Sequence, residues 1–308
     1  MLSRTANELY WMARYQERAE TLARLLDVTN KLSLMPVTDS ERNDLMVPLN
    51  MTGTCDQYFA AYNTLSMHHL VQFMTLDNNN FSSIYHCLQM AWNNAHAVRG
   101  RLSSEVWECI NATWIEMKSI KKRGLSAAEM DAFFDWTKER SHVFRGAISG
   151  TLMRDDAMAF IQLGTLIERA DSTARLLDAK TELLNADSDP AQEYFRMDML
   201  LRAVSAREAY HSIYRHPPSH ETIIELLILR KELPRSLRSC MNAIVMQLDL
   251  IENAHTSRPR KLVESLHQEL AYTQLSDVKG SGLTPWLASF IQQVHAISNS
   301  IHQTYLEA

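Results

Sequence analysis

ERAETLARLLD, from Glu17 to Asp27, returns as ERADSTARLLD from Glu168 to Asp178, 151 positions further along a chain of 308 residues. The two stretches agree at eight of eleven positions, and Glu20 against Asp171 and Thr21 against Ser172 are near-isosteric exchanges. A repeat this close within one chain points to a duplicated fold. Three further pairs keep the same order. Ala61-Tyr62 matches Ala209-Tyr210, Ser83-Ile84-x-x-Cys87-Leu88 matches Ser236-Leu237-x-x-Cys240-Met241, and NAHAVRGR from Asn94 matches NAHTSRPR from Asn253. Two related halves, 1–150 and 151–308, are therefore expected to pack into one all-α domain, a multi-helix bundle with a pseudo-two-fold, since amphipathic helices without a sheet need partners to cover their apolar faces.

Composition agrees. Eight Gly and eight Pro are roughly half the usual frequency of either residue, and the abundant Leu, Ala, Met, Gln, Glu and Arg favour helix. The net charge is −5 and no basic block exceeds Lys121-Lys122-Arg123, which argues against nucleic acid as a partner. The most apolar window, Ile223 to Leu229, is far shorter than the roughly 20 residues that span a bilayer. Cys55, Cys87, Cys109 and Cys240 are scattered, with no C-x-x-C, as expected of reduced thiols in a cytoplasmic protein.

Thr5-Ala-Asn-Glu8 has the spacing of a capping box, so the first helix is expected from there to about Met35, ahead of Pro36. Pro36 to Asn50 reads as a loop, followed by helices over roughly 53–74, 82–99 and 103–122. Ser126-Ala-Ala-Glu129 is a second capping box, opening a helix expected to end before Gly146 to Gly150. The second repeat sits on a helix from about Arg154 to Asn185, and Asp189-Pro190 restarts the chain. Pro217-Pro218, Pro234, Pro259 and Gly280 through Pro285 mark the later breaks, with Thr284-Pro285 opening the last helix.

At 100° per residue, Trp11, Tyr15, Ala19, Leu22 and Leu26 form one stripe of the first repeat helix, and Glu17, Glu20, Arg24 and Asp27 another. In the second copy Ile161, Gly164 and Ile167 flank the polar stripe, so Glu168, Asp171, Arg175 and Asp178 should lie in an enclosed seam, with Glu168 more buried than Glu20. As architecture, the acid-before-Arg pairs at i,i+4 are worth about 0.2–0.5 kcal/mol each on an exposed helix. Retention of Arg rather than Lys in both copies points further, to buried fork-to-carboxylate contacts and a possible site for an anion. His96 with Arg99, and His255 with Arg258, repeat a second polar pattern that suits an anionic ligand or a hydrogen-bonded scaffold. Cys87 and Cys240 read as core. The order E, ExxH, E, ExxH of a di-metal bundle can be drawn through Glu139/His142, Glu208/His211, Glu252/His255 or Glu264/His267. Its gaps are longer than consecutive bundle helices need, so no metal is expected. No phosphate-binding Gly loop, G-x-S-x-G or dinucleotide fingerprint occurs, so no cofactor is expected either.

Four segments together, MLSRTANELYWMARYQERAETLARLLD from Met1, NNAHAVRGRLSSEVWECIN from Asn93, MRDDAMAFIQLGTLIERADSTARLLD from Met153 and ELPRSLRSC from Glu232, resemble the alpha-E family of bacterial all-helical proteins. The resemblance implies company with a circularly permuted ATP-grasp protein and a transglutaminase-like protease, and hence an accessory role in forming or cleaving peptide or amide bonds. It carries over Glu17 and Glu168 as candidate catalytic acids. Arg18, Arg24, Arg99, Glu105, Arg154, Asp155, Arg169 and Arg175 follow as candidate ligand-binding residues. Two alternatives stand beside the accessory role: acid/base catalysis by Glu17 or Glu168 with neighbouring Arg, and a purely structural interaction protein. The chain departs from the family pattern at Ala13, where glycine is usual, at Asp156-Ala157-Met158, and at His96, where Arg is common.

Overall fold

A computed structural model describes residues 1–34, 41–184, 190–251 and 257–307, and among them every regular element is helical. The residues cluster into two compact units, Met1–Thr165 and Leu166–Glu307. No helix among the described residues is long and apolar enough to cross a membrane.

The first unit contains α1 (Ser3–Ser33), α2 (Glu41–Thr52), α3 (Cys55–Ala61), α4 (Met67–Thr75), α5 (Ile84–Ala97), α6 (Ser104–Arg123) and α7 (Met130–Thr151), plus the start of α8 (Asp156–Leu184). Helix α1 packs on α5 and α7, α5 packs on α6, and α6 on α7, which closes a four-helix ring with α2 and α4 also laid against α1. Enclosed in this way, α1 is buried on nearly every face. Leu22, Leu26, Tyr58, Phe73, Met117 and Phe134 fill the core beneath it. The second unit continues α8 and adds α9 (Pro190–Ala203), α10 (Arg207–Tyr214), α11 (His220–Leu229), α12 (Leu237–Ile251), α13 (Ser257–Tyr272), α14 (Leu275–Ser281) and α15 (Leu283–Ile301). Here α12 packs on α13 and α11, and α13 on α15, over buried Ile223, Leu227, Ile244, Phe290 and Val294.

Serine starts several of the helices. Ser66, Ser83, Ser103 and Ser219 each accept the backbone N–H three residues on, at 3.2–3.3 Å, which satisfies an orphan donor of the first turn. The Ser126/Glu129 capping box forms as expected. The Thr5 box does not: α1 begins at Ser3 behind Leu2, which supplies no side-chain cap. Pro36–Asn50 is not all loop, because α2 runs through Pro48. Its buried Leu45, Val47 and Leu49 outweigh the lost N–H of the proline, a penalty of about 3 kcal/mol in a helix interior. The single helix expected over 53–74 is two, broken where the Tyr58 hydroxyl donates to the Thr64 carbonyl (3.1 Å). Helix α7 does not stop before Gly146 but reaches Thr151, anchored by buried Phe144 and Ile148. Pro259 marks a helix boundary, as expected: α12 ends at Ile251 and α13 starts at Ser257, so the proline lies in the first turn, where its missing N–H has no partner to lose. Asp189, the expected cap before Pro190, falls outside the described residues.

One approach of helices is unusually close. A Cβ on Gly164 of α8 would sit 2.2 Å from the Tyr10 carbonyl oxygen and 3.3 Å from the Ala13 Cβ, so α1 and α8 cross backbone to backbone there. Only glycine permits this approach, and the alanine at position 13 does not prevent it.

Candidate functional site

In the first unit the polar stripe of α1 meets one face of α7. Lys138, His142 and Arg145 stand four and three residues apart on α7 and so share that face. The Glu20 carboxylate is fully buried (0%) and is held by two guanidinium groups. Arg24 Nε donates to its Oε1 at 2.9 Å, and Arg145 donates to it through both terminal nitrogens. Arg145 also lies 3.7 Å from Glu17. Arg24 Nη2 faces His142 Nε2 at 3.1 Å. Two turns on from Glu20, Asp27 pairs with Lys31 at 2.6 Å and with Lys138 at 2.8 Å. Burial pushes the Asp27 carboxyl up, but the hydrogen bonds and charges of the two lysines outweigh it and leave the carboxyl below its ordinary value.

The second unit holds a related constellation between α8 and α15. Arg175 Nε donates to Asp171 Oδ2 at 2.8 Å, its Nη2 lies 3.1 Å from His295 Nε2, and that same imidazole nitrogen lies 3.1 Å from Asp171 Oδ1. Burial again acts to raise the Asp171 carboxyl. The hydrogen bond from His295 and the charge and hydrogen bond of Arg175 more than reverse it. Around His295, α15 carries Ile291 and Ser298 at the spacings where α7 has Lys138 and Arg145, so these two positions bring no cation to the cluster. Both imidazoles are half-exposed, with side chains 57% and 50% accessible. An acid, an arginine and a histidine in this arrangement form a charge-compensated group with one imidazole edge open to solvent.

Other sequence-predicted residues lie elsewhere. Glu168 is buried (3%), though no more so than Glu20, which reverses the expected order because Arg145 and α7 cover Glu20 completely. Arg18 lies over the Tyr15 ring and beside His86, whose imidazole is pushed down by burial and by that guanidinium. Arg169 is half-buried on the helix that carries Glu168. Arg154 and Asp155 are exposed just before α8, where Asp155 accepts from Ala157 N–H (2.9 Å) as a cap. The neighbouring Asp156 lies 3.5 Å from the amino group of Met1. At about 1.5 Å per residue this corner is roughly 28 Å along α1 from Glu20. Arg99 and Glu105 flank the start of α6, Arg99 over the Trp107 ring at 4.9 Å. Asn94, five residues before Arg99, hydrogen-bonds Glu8 when its amide is oriented to satisfy both atoms, which puts Arg99 towards the N-terminal end of α1. Arg99 and Arg154 therefore lie away from Glu17 and Arg24. His96 stacks on Trp92, and His255 lies outside the described residues.

His142, Arg145 and His295 were missed as partners of the repeated helix. His142 entered the sequence reading only as half of a metal pair, whose Glu139 is exposed and lies beside Arg140. A signal was present, for His142 and His295 are separated by 153 residues, the offset of the Ser83/Ser236 pair.

Curated relatives include an uncharacterized protein of Mycobacterium bovis, Mb2597, and one of Mycobacterium tuberculosis, Rv2567. Each is 24% identical over 95% of this chain. The chain spans about a third of the length of these relatives, 35%. No solved structure matches. The model of one family, Alpha-E, described as a predicted alpha-helical domain with a conserved ER motif, matches residues 1–306. Glu17-Arg18 and Glu168-Arg169 are such dipeptides, each on a buried helix, and the chain belongs to the Alpha-E family.

Proposed function

We propose that this protein is an accessory helical subunit of an ATP-grasp-linked system that forms peptide or amide bonds, and that it docks on the ligase or positions its substrate. The observation that carries the reading is the internal compensation of the ER-helix acids. Glu20 is held by Arg24 and Arg145, and Asp171 by Arg175 and His295, so these carboxylates serve the scaffold rather than a bound reactant. The partner is a circularly permuted ATP-grasp protein, with a transglutaminase-like protease as a further associate, and the setting is the bacterial cytoplasm, where ATP is supplied. The greater length of the mycobacterial relatives fits a helical module that works beside another one. Co-elution with the ligase at micromolar concentration, or altered ATP turnover on mixing, would support this reading; neither effect would sink it.

A catalytic reading is favoured by one observation: a buried carboxylate hydrogen-bonded to a half-exposed imidazole, Asp171 with His295, is an arrangement used in general acid/base chemistry. In that case the acid/base is Glu17 in the first unit or Glu168 in the second, each with its neighbouring Arg. Well-folded Glu17→Gln and Glu168→Gln proteins with full pathway activity would remove the option.

We also infer that the two units are copies within a single domain. Element order and length correspond from α1/α8 through α5/α12, and α7 corresponds to α15. The buried Tyr58 and Tyr210 each bond a carbonyl six or seven residues on, Thr64 and Pro217, both at 3.1 Å. By role Tyr58, rather than Tyr62, is the counterpart of Tyr210. The turns after α2 and α9 close with the same pair of bonds, Gly53 to Asn50 with Thr54 to Leu49, and Ser205 to Arg202 with Ala206 to Leu201.

A further inference from the structure

Five rings line the seam where α5 packs on α6. Tyr85 contacts Trp114 at 5.1 Å between centroids, Trp114 contacts Trp92 at 6.3 Å, and Trp92 contacts both Trp107 (6.4 Å) and His96 (5.2 Å). Tyr85, Trp92 and His96 recur at spacings of seven and four on α5, and Trp107 and Trp114 at seven on α6, so each set shares one helical face. From Tyr85 to His96 the ladder is about 16 Å long.

Three cations lie on these rings. Arg99 covers Trp107 (4.9 Å), Lys118 covers Trp114 (5.7 Å) and Lys121 covers Tyr85 (3.8 Å). Arg99 and Lys118 are exposed, and among the described residues neither has a carboxylate within ion-pair distance. Lys121 bonds the neutral amide of Asn78 and feels Asp77 through space. In the second unit, by contrast, Arg230 over Tyr214 is paired with Glu225 at 2.7 Å, and its charge is spent. Positive charge held on a row of aromatic rings, with no carboxylate at ion-pair distance from Arg99 or Lys118 among the described residues, is complementary to a ligand that brings carboxylates and apolar surface together.

We propose that the α5–α6 seam binds a short, extended, acidic segment of another protein, with its carboxylates on Arg99 and Lys118 and its backbone along the accessible Tyr85, Trp92, His96 and Trp107 rings, Trp114 being buried beneath them. At about 3.3 Å per residue the ladder accommodates roughly five residues. A nucleic-acid strand suits the seam less well. Exposed Glu105 and Glu108 flank Trp107 in the sequence of α6, and a continuous polyanion would meet them, whereas a peptide places charge only where a cation waits. The surface is independent of the ligase proposed above, so co-elution with that ligase and peptide binding can fail separately.

Fluorescein-labelled hexaglutamate, titrated into the full chain, is the direct probe, with hexalysine and an octathymidine strand as comparators. Saturable binding of hexaglutamate is expected, accompanied by a change in tryptophan fluorescence. The Arg99→Ala/Lys118→Ala double variant should bind about tenfold more weakly with an unchanged melting curve, and Arg230→Ala should bind like the parent. Absence of binding up to about 1 mM, equal affinity in the double variant, an equal loss in Arg230→Ala, or tighter binding of the oligonucleotide would each overturn the proposal.

Discussion

Arg24 Nη2 stands 3.1 Å from His142 Nε2, and because a guanidinium can only donate, a hydrogen bond here uses the imidazole nitrogen as acceptor. At the related site His295 Nε2 lies 3.1 Å from both Arg175 and Asp171 Oδ1. The imidazole thus reaches its carboxylate at hydrogen-bond distance in the second unit, whereas His142 Nε2 stands 4.0 Å from Glu20 Oε1 in the first.

Asp171 should make part of the stability of the protein pH-dependent. Its folded-state pKa is below the ordinary 3.8, so the stabilisation is complete above that value and is lost as pH falls through the lower folded value. Urea denaturation from pH 5 to pH 2 should show a shallower acid limb in Asp171→Asn than in the parent. An unchanged slope would mean that the Asp171 contacts carry no linkage.

Removing one partner of the enclosed pairs should cost far more than removing a surface cation. Arg24→Ala and Arg175→Ala each leave a buried carboxylate short of a donor and are expected to lose about 3 kcal/mol, against under about 1 kcal/mol for Arg123→Ala at its exposed 3.5 Å pair with Glu129. Chemical denaturation of the three proteins side by side decides the matter, and equal small losses would show a solvated seam.

Glycine substitutions should change sign with position. Gly164→Ala drives a methyl into the Tyr10 carbonyl and should destabilise by about 1–3 kcal/mol despite the better helix propensity of alanine. Gly146→Ala and Gly150→Ala, within α7 and with open space around the new Cβ, should stabilise by about 0.5–1 kcal/mol each. Thermal melts read both signs.

Ser205 occupies a left-handed position (φ +53°) at the end of α9 that Gly53 (φ +67°) occupies after α2. Relief of Cβ strain in Ser205→Gly should stabilise by up to about 1 kcal/mol, while Gly53→Ser should lose a similar amount. Destabilisation by Ser205→Gly would show that the serine side chain contributes more than its backbone strain costs.

Helical class, the two ER helices and the starts of α5, α6, α7 and α8 were legible along the chain, because they depend on local chemistry: few helix breakers, an eleven-residue repeat, and a Ser-x-x-Glu box that bonds a backbone only three residues away. Local chemistry misled at α2 and at the run of α7 past Gly146, where buried Leu45, Leu49, Phe144 and Ile148 override local preference. Packing between distant helices was needed to enclose Glu20 with Arg145 and face it with His142, to bring Asp171 to His295, and to rest Arg99 on Trp107 away from both. Residue types and spacings along one helix show which side chains share a face; which distant helix covers that face depends on how the chain packs, and the pairing of Arg24 with His142 spans 118 positions.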